Sequence, residues 1–318
     1  MNVRRRHISG IAIAAATALG LGTLSACSDS ASAANTDKFD VVAAFYPLQY
    51  LAEQIGGDHV HVTSLTKPGQ EPHDLEISAQ QTAALGESDA VLYLKNLQPA
   101  VDDAVSQSEV RTKIDAASLT TLEKHGNEVG GHAASHDTSK NDELAGLDPH
   151  IWLDPVRYAQ VAQGVGKAFE KADPKNAADY RTRTAALVTK LDALNTEFKT
   201  GLASTRTKVF ITTHAAFGYL AERYGLTEEA INGLDPESEP SAERVKNLEK
   251  MAKADGVTTV FYETLVSDKT AKTIAADAHL KTDVLDPIEG ITKKSRGKDY
   301  FSVQQANLKA LQKALGSK

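Results

Sequence analysis

The string Asp148-Pro149-His150-Ile151-Trp152-Leu153-Asp154-Pro155 sets an imidazole among carboxylates. It stands just before a helix that opens with Asp154 as N-cap and Pro155 at the first position. Two other segments carry histidines in comparable places: Gly69-Gln70-Glu71-Pro72-His73-Asp74, between a strand and a helix, and Thr212-Thr213-His214-Ala215-Ala216-Phe217, at the end of a strand. Asp286 closes a further predicted strand. Imidazoles so far apart in sequence point to a metal site assembled by folding rather than to a local finger. Three imidazoles and one carboxylate form an N₃O set that zinc accepts in four-coordinate geometry, with bonds of roughly 2.0–2.2 Å. Manganese prefers more oxygen, and copper(II) binds the same donors tightly, so donor type alone does not select the metal. The chain has one cysteine, which excludes an internal disulfide and a Cys-based metal site.

The elements that must position these groups alternate between strand and helix. Phe39–Phe45 reads as a buried strand, Leu48–Ile55 as a helix stopped by Gly56-Gly57, and His59–Leu65 as a second strand. Ser78-Ala79-Gln80-Gln81 has capping-box form and starts a short helix ending near Gly86. Ala90–Leu94 is another strand. Pro155–Lys171 is helical, and a second helical pattern runs from about Pro174 to Leu202, with Leu187, Leu191, Leu194 and Phe198 on its apolar face. At about 1.5 Å per residue that helix is roughly 40 Å long, enough to cross between domains. Lys208–Thr213, Val257–Tyr262 and Thr282–Leu285 read as strands, and Ala216–Tyr224 and Asp268–Ala278 as helices. This rhythm predicts an α/β protein of two domains, each a parallel-type sheet flanked by helices, joined by a long backbone helix. The expected divisions are 39–172, 173–203 for the linking helix, and 204–318. Ligand groups in open α/β sheets gather at the carboxyl ends of strands. With His73 and His150 from one half and His214 and Asp286 from the other, the metal falls at the domain interface. A helix crossing that interface resists wide hinge opening, so release is expected to depend on loop movement or small domain shifts.

The chain ends narrow the setting. Arg4-Arg5-Arg6 followed by the short apolar stretch Ile8–Leu24 reads as a secretory signal, covering residues 1–26. Leu24-Ser25-Ala26-Cys27 resembles a lipobox, with Cys27 lipidated as the first mature residue and the chain held at the lipid bilayer. Residues 27–38 then read as a flexible tether. The formal charge is −7, and removal of 1–26 takes away three arginines and no acids, leaving −10. Such an acidic chain is a poor partner for nucleic acid.

With these residues in place the chain resembles the zinc/manganese solute-binding proteins of ABC transporters, the cluster A-I type. The markers are Pro-Gly-x-x-Pro-His-Asp at 68–74, Asp-Pro-His-Ile-Trp-Leu-Asp-Pro at 148–155, Thr-His-Ala-Ala-Phe-Gly-Tyr at 213–219, Phe-Tyr-Glu at 261–263 and Leu-Asp-Pro at 285–287. The resemblance implies metal ligands at His73, His150, His214 and Asp286. Manganese-type members commonly carry a carboxylate where this chain has His214, which favours zinc. It also implies an extracytoplasmic, membrane-anchored monomer that captures Zn2+ as cargo and delivers it to an ABC permease with a cytoplasmic ATPase. The alternatives are a manganese or broader transition-metal receptor of the same fold, or a surface adhesin that metal merely stabilises.

Several other groups stand close to this chemistry. The polar stretch 124–147 holds His125, His132 and His136 and resembles the family's metal-collecting loop, though a sparse one; the bland reading is a solvated loop. Glu263 follows an apolar strand and is a candidate partner to a ligating imidazole. Asp148 and Asp154 are expected to shape the loop and cap the helix. The chain contains no His-Glu-x-x-His, Gly-x-Ser-x-Gly or Walker A sequence, and the reading is of a receptor, not an enzyme.

Overall fold

A computed structural model describes residues 38–125 and 146–317. The leader, Cys27, His132 and His136 lie outside these residues. The described residues form one compact unit. Its first half holds strands β1 (Phe39–Ala43), β2 (Val60–Ser64), β3 (Ala90–Tyr93) and β4 (Thr112–Asp115). Its second half holds β5 (Val209–Thr212), β6 (Thr227–Ala230), β7 (Thr259–Tyr262) and β8 (Lys281–Val284). The two four-stranded sheets share one plan, ordered β2-β1-β3-β4 and β6-β5-β7-β8, with every pairing parallel. In this doubly wound order, strand ends bearing ligands point the same way within each sheet.

Helices α1 (Tyr46–Gly56), α2 (Ala79–Glu87) and α3 (Pro99–Gln107) flank the first sheet. Helix α2 begins with a complete capping box between Ser78 and Gln81. Helix α4 (Pro155–Ala172) starts where Asp154 accepts the backbone N–H of Val156, with Pro155 in its first turn. Helix α5 (Ala177–Gly201) has 25 residues, and at about 1.5 Å per residue spans roughly 37 Å. It buries Leu187, Leu191, Leu194 and Phe198 and packs on α1, α4 and α9 (Tyr300–Leu315). Helices α6 (Gly218–Tyr224), α7 (Ala242–Ala254) and α8 (Lys269–Asp277) serve the second sheet. Gly225 ends α6 at φ 63°, a left-handed position that glycine enters without steric cost.

Sequence periodicity did not reveal α3, β4, β6, α7 or α9. Strands β4 (Thr-Lys-Ile-Asp) and β6 (Thr-Glu-Glu-Ala) carry charged residues and no apolar run, and their burial is decided by neighbours distant in sequence. One large apolar core takes residues from both sheets, including Val41, Val91, Phe210, Phe261 and Leu285, with α4, α5 and α9 between. A smaller cluster around Ile211, Leu248, Val260 and Ile274 fills the other face of the second sheet. Tyr300 of α9 reaches the first half, stacking on Tyr50 at 5.7 Å and donating its hydroxyl to the Trp152 carbonyl at 2.6 Å. Two helices, α5 and α9, therefore bind the halves together. No helix among the described residues is long and apolar enough to cross a membrane.

Candidate metal centre

Four strand-end or loop segments converge between the sheets. His73 comes from the connection between β2 and α2, and His150 from the approach to α4. His214 stands two residues past β5, and Glu289 five residues past β8. The Glu289 Oε1 atom lies 3.3 Å from His73 Nε2, 3.5 Å from His150 Nε2 and 3.6 Å from His214 Nε2. The Nε2 atoms of His150 and His214 are 3.3 Å apart. A regular tetrahedron with bonds of roughly 2.0–2.2 Å to its centre has edges of roughly 3.3–3.6 Å. Four of the six donor–donor separations thus stand at the edge length of a tetrahedral zinc shell, and all four donor atoms lie within 4.8 Å of one another.

The side chains of His150, His214 and Glu289 are at most 1% exposed, whereas His73 keeps 12%. His73 is therefore the one of the four that reaches the surface. Glu289 Oε2 is buried and has no hydrogen-bond partner among the described residues, an unmet acceptor beside three imidazoles. The donor chemistry and this free oxygen both fit a divalent cation.

Carboxylates behind the site orient the rings. Asp148 Oδ1 takes His150 Nδ1 at 2.7 Å and the His150 backbone N–H at 2.9 Å. Glu263, next after β7, stands 2.9 Å from His214 Nδ1 and also accepts the Thr213 hydroxyl at 2.6 Å. An imidazole that donates from Nδ1 offers the Nε2 lone pair to a metal when neutral. Burial opposes protonation of His214, but Glu263 and Glu289 outweigh it and hold its pKa well above the ordinary imidazole value. The same balance, with Asp148 and Glu289 against burial, raises His150. Burial pushes Glu289 up, yet hydrogen bonds from the three histidines hold it well below the usual carboxylate range. Burial likewise opposes ionisation of Asp148, and its bonds from His125 and His150 leave it lowered.

Asp286, expected from the sequence as a ligand, stands outside the group of four donors, and Glu289 takes its place there. Its Oδ1 accepts the backbone N–H of Ile288 at 2.8 Å, and its Oδ2 the Thr264 hydroxyl at 3.1 Å. Asn307 of α9 holds the Asp286 backbone from both sides, accepting its N–H and donating to its carbonyl. The turn carries Ile288 at φ 60°, and this left-handed residue swings the following Glu289 carboxylate into the site. Burial lifts Asp286 to about 6, against hydrogen bonds from Ile288, Ser295 and Thr264. The string Leu285-Asp286-Pro287-Ile288-Glu289 offers two carboxylates three residues apart, and no periodicity says which one a turn will deliver.

His125 is the only one of the three loop histidines within the described residues. Its Nδ1 bonds Asp148 Oδ2 at 2.9 Å, and its donors group with those of Glu123 and Glu222 away from the four-donor centre. Asp154, besides capping α4, receives a two-pronged contact from Arg223.

Comparison with known proteins gives a consistent result. The family described as ZnuA, zinc-uptake complex component A periplasmic, matches residues 41–314. The chain is similar to the zinc-binding lipoprotein AdcA of Streptococcus pneumoniae serotype 4, 34% identical over 294 residues, covering 91% of this chain and 58% of the relative. It is similar to the high-affinity zinc uptake system protein ZnuA of Bacillus subtilis, 30% identical over 320 residues, covering 96% and 97%. Among solved structures, the Zn(II)-bound ZnuA-like domain of S. pneumoniae AdcA superposes with a TM-score of 0.72 at 31% identity, covering 87% and 99%. The chain spans 55–58% of the length of the AdcA proteins it matches.

Proposed function

From the premise that this chain belongs to the ZnuA family, we propose that it is the zinc-binding receptor of an ABC uptake system, with Zn2+ as cargo held by His73, His150, His214 and Glu289. The observation that carries the reading is the convergence of three imidazoles and one carboxylate within 4.8 Å of one another, with Glu289 3.3–3.6 Å from each imidazole and His150 3.3 Å from His214, the edge length of a tetrahedral zinc shell. Three nitrogens and one oxygen favour zinc over manganese, which asks for more oxygen. Capture replaces the protons that the buried imidazoles otherwise hold against Glu289, and the site closes around the ion without needing a nucleophile or a free coordination position.

Further parts of the reading follow from the family and the leader. Cys27, in its lipobox-like context, is the proposed point of lipid attachment, supported by the lipoprotein name of the AdcA relative. The receptor works outside the cytoplasm as a monomer and hands zinc to a permease driven by a cytoplasmic ATPase. The two halves, 39–172 and 204–318, are proposed to act as lobes that shift only slightly, because α5 and α9 both brace them.

The test is a competition titration of the metal-free protein against a chromophoric chelator, with zinc and manganese, on wild type and His214→Ala. Tight zinc binding, much weaker manganese binding and a large loss in the variant support the receptor. Equal affinities for the two metals, or a variant indistinguishable from wild type, overturn it. Zinc that cannot be exchanged on the timescale of minutes to hours would favour a stabilised adhesin over a carrier.

A further inference from the structure

We propose that His125 is a positioning residue for zinc capture: by holding one oxygen of Asp148 it fixes the other oxygen on His150 and so sets how His150 presents its Nε2. The inference rests on the assignment of His150 as a ligand. Asp148 is fully buried and its two oxygens are divided between two imidazoles. Oδ1 takes His150 Nδ1 at 2.7 Å, and Oδ2 takes His125 Nδ1 at 2.9 Å. Oδ1 also accepts the His150 backbone N–H at 2.9 Å, but a carboxylate held at one oxygen alone can still tilt about it. Held at both, it has a single orientation, and the ring bonded to it is fixed too.

The place of His125 is built into the fold. A Cβ on Gly218, the first residue of α6, would fall 2.4 Å from His125 Cβ and Cγ, so the imidazole lies against α6 only because residue 218 has no side chain. The ring meets Tyr219 edge-on at 4.4 Å. The Tyr219 hydroxyl donates to the Asp148 carbonyl at 2.7 Å and accepts the Glu123 N–H at 2.9 Å. Asp148 N in turn donates to the Glu123 carbonyl at 2.8 Å. The segment carrying His125 and the segment carrying Asp148 are therefore pinned to each other and to α6.

The opposite face of His125 offers a rival role. Its Nε2 lies 3.6 Å from Glu222, and Glu123, His125 and Glu222 could together face a cation. Arg157 opposes this. Its Nη2 bonds Glu123 and lies 3.9 Å from Glu222, which places a fixed positive charge in the group. The bond through Nδ1 to Asp148 is the role that the surrounding charge permits.

The experiment compares His125→Leu, His125→Asn, Gly218→Ala and His150→Ala with wild type, all checked for folding by thermal melts of the metal-free protein. An Asn side-chain amide reaches about where the imidazole Nδ1 stands and can still donate to Asp148. Zinc affinity is read by chelator competition. In the cobalt-substituted protein, the hyperfine-shifted Nδ1–H protons of the ligand histidines are read by NMR. Removing a carboxylate that orients a ligand costs about 10–100-fold in affinity, so His125→Leu, one bond further out, should cost about 3–10-fold. It should speed solvent exchange of the His150 proton while leaving that of His214 unchanged. Gly218→Ala, which displaces His125 without altering it, should copy the effect, and His125→Asn should recover to within about twofold. Wild-type affinity and an unchanged His150 proton in His125→Leu overturn the inference. So does a His125→Asn variant as weak as the leucine variant, or a second bound zinc equivalent that vanishes with His125. A His150→Ala variant that binds zinc as wild type does overturns the ligand assignment itself; loss in His150→Ala with no loss in His125→Leu overturns the positioning role alone.

Discussion

Asp286 and Glu289 lie three residues apart on one turn, and only Glu289 carries its carboxylate to the three imidazoles, while Asp286 binds the backbone N–H of Ile288. The two should therefore respond differently to substitution. Glu289→Gln removes the only anionic donor and should weaken zinc by at least about 100-fold, since a carboxylate must bind deprotonated and its charge is lost from a buried site. Asp286→Asn keeps an oxygen for Ile288 and should stay within about threefold of wild type. Chelator competition on both variants decides it. Equal losses would put Asp286 in the coordination shell.

Glu263 receives His214 Nδ1 and the Thr213 hydroxyl on one oxygen. Glu263→Ala frees the His214 ring to rotate and removes the charge that supports it. Zinc affinity should fall by about 10–100-fold. Glu263→Gln can still accept through its amide oxygen and should lose less. If alanine binds zinc as wild type does, the glutamate is not what orients His214.

The site's proton inventory gives a pH prediction. His150 and His214 are raised above 6.5, so their contribution to the metal-free fold is complete below about pH 6.5 and is lost as pH rises through their folded values. Glu289 and Asp148 are lowered from 4.5 and 3.8, so their contribution is present above those values and lost on acidification. The metal-free protein should gain most from this site between about pH 4.5 and 6.5. Zinc needs the imidazoles neutral, so its affinity should drop as pH falls, beginning above pH 6.5 because the folded values are raised. Thermal midpoints with and without zinc, taken from pH 5.5 to 8.5, should show an increment that grows with pH. A constant increment would mean that no imidazole proton is displaced.

Trp152 donates its indole N–H to the Pro287 carbonyl at 2.7 Å, packs on Phe45 at 4.9 Å and touches the His150 ring at 5.2 Å. Trp152→Phe keeps an aromatic ring but withdraws the donor from a buried carbonyl in the turn that bears Glu289. The expected cost is about 1–3 kcal/mol of stability, read by denaturant unfolding of the metal-free protein. Zinc should bind more weakly as well, because the turn loses one of its anchors. Unchanged stability would show that another group satisfies Pro287.

The alternation of strand and helix, the Ser78–Gln81 capping box, the Asp154-Pro155 start of α4 and the apolar stripe of α5 were all legible, because each is written within a few adjacent residues. The histidines were legible as candidates because each follows a strand or precedes a helix, where side chains are exposed to a ligand. The strands β4 and β6 and the helix α7 were not, since their burial depends on partners brought from elsewhere.

Local order also decided that three imidazoles must come from separate segments and that no cysteine could take part, which confined the chemistry to nitrogen and oxygen donors. Tertiary structure alone decided that Glu289 rather than Asp286 meets them. The choice depends on a left-handed Ile288, on Asn307 reaching across from α9 and on Trp152 holding Pro287. Asn307 and Trp152 are far away in sequence, and although Ile288 adjoins Glu289, nothing in its residue type announces a left-handed backbone. The division of Asp148 between His125 and His150 has the same origin: two loops are joined by a carboxylate whose two oxygens face opposite ways, and only packing against Gly218 and Tyr219 brings them within reach.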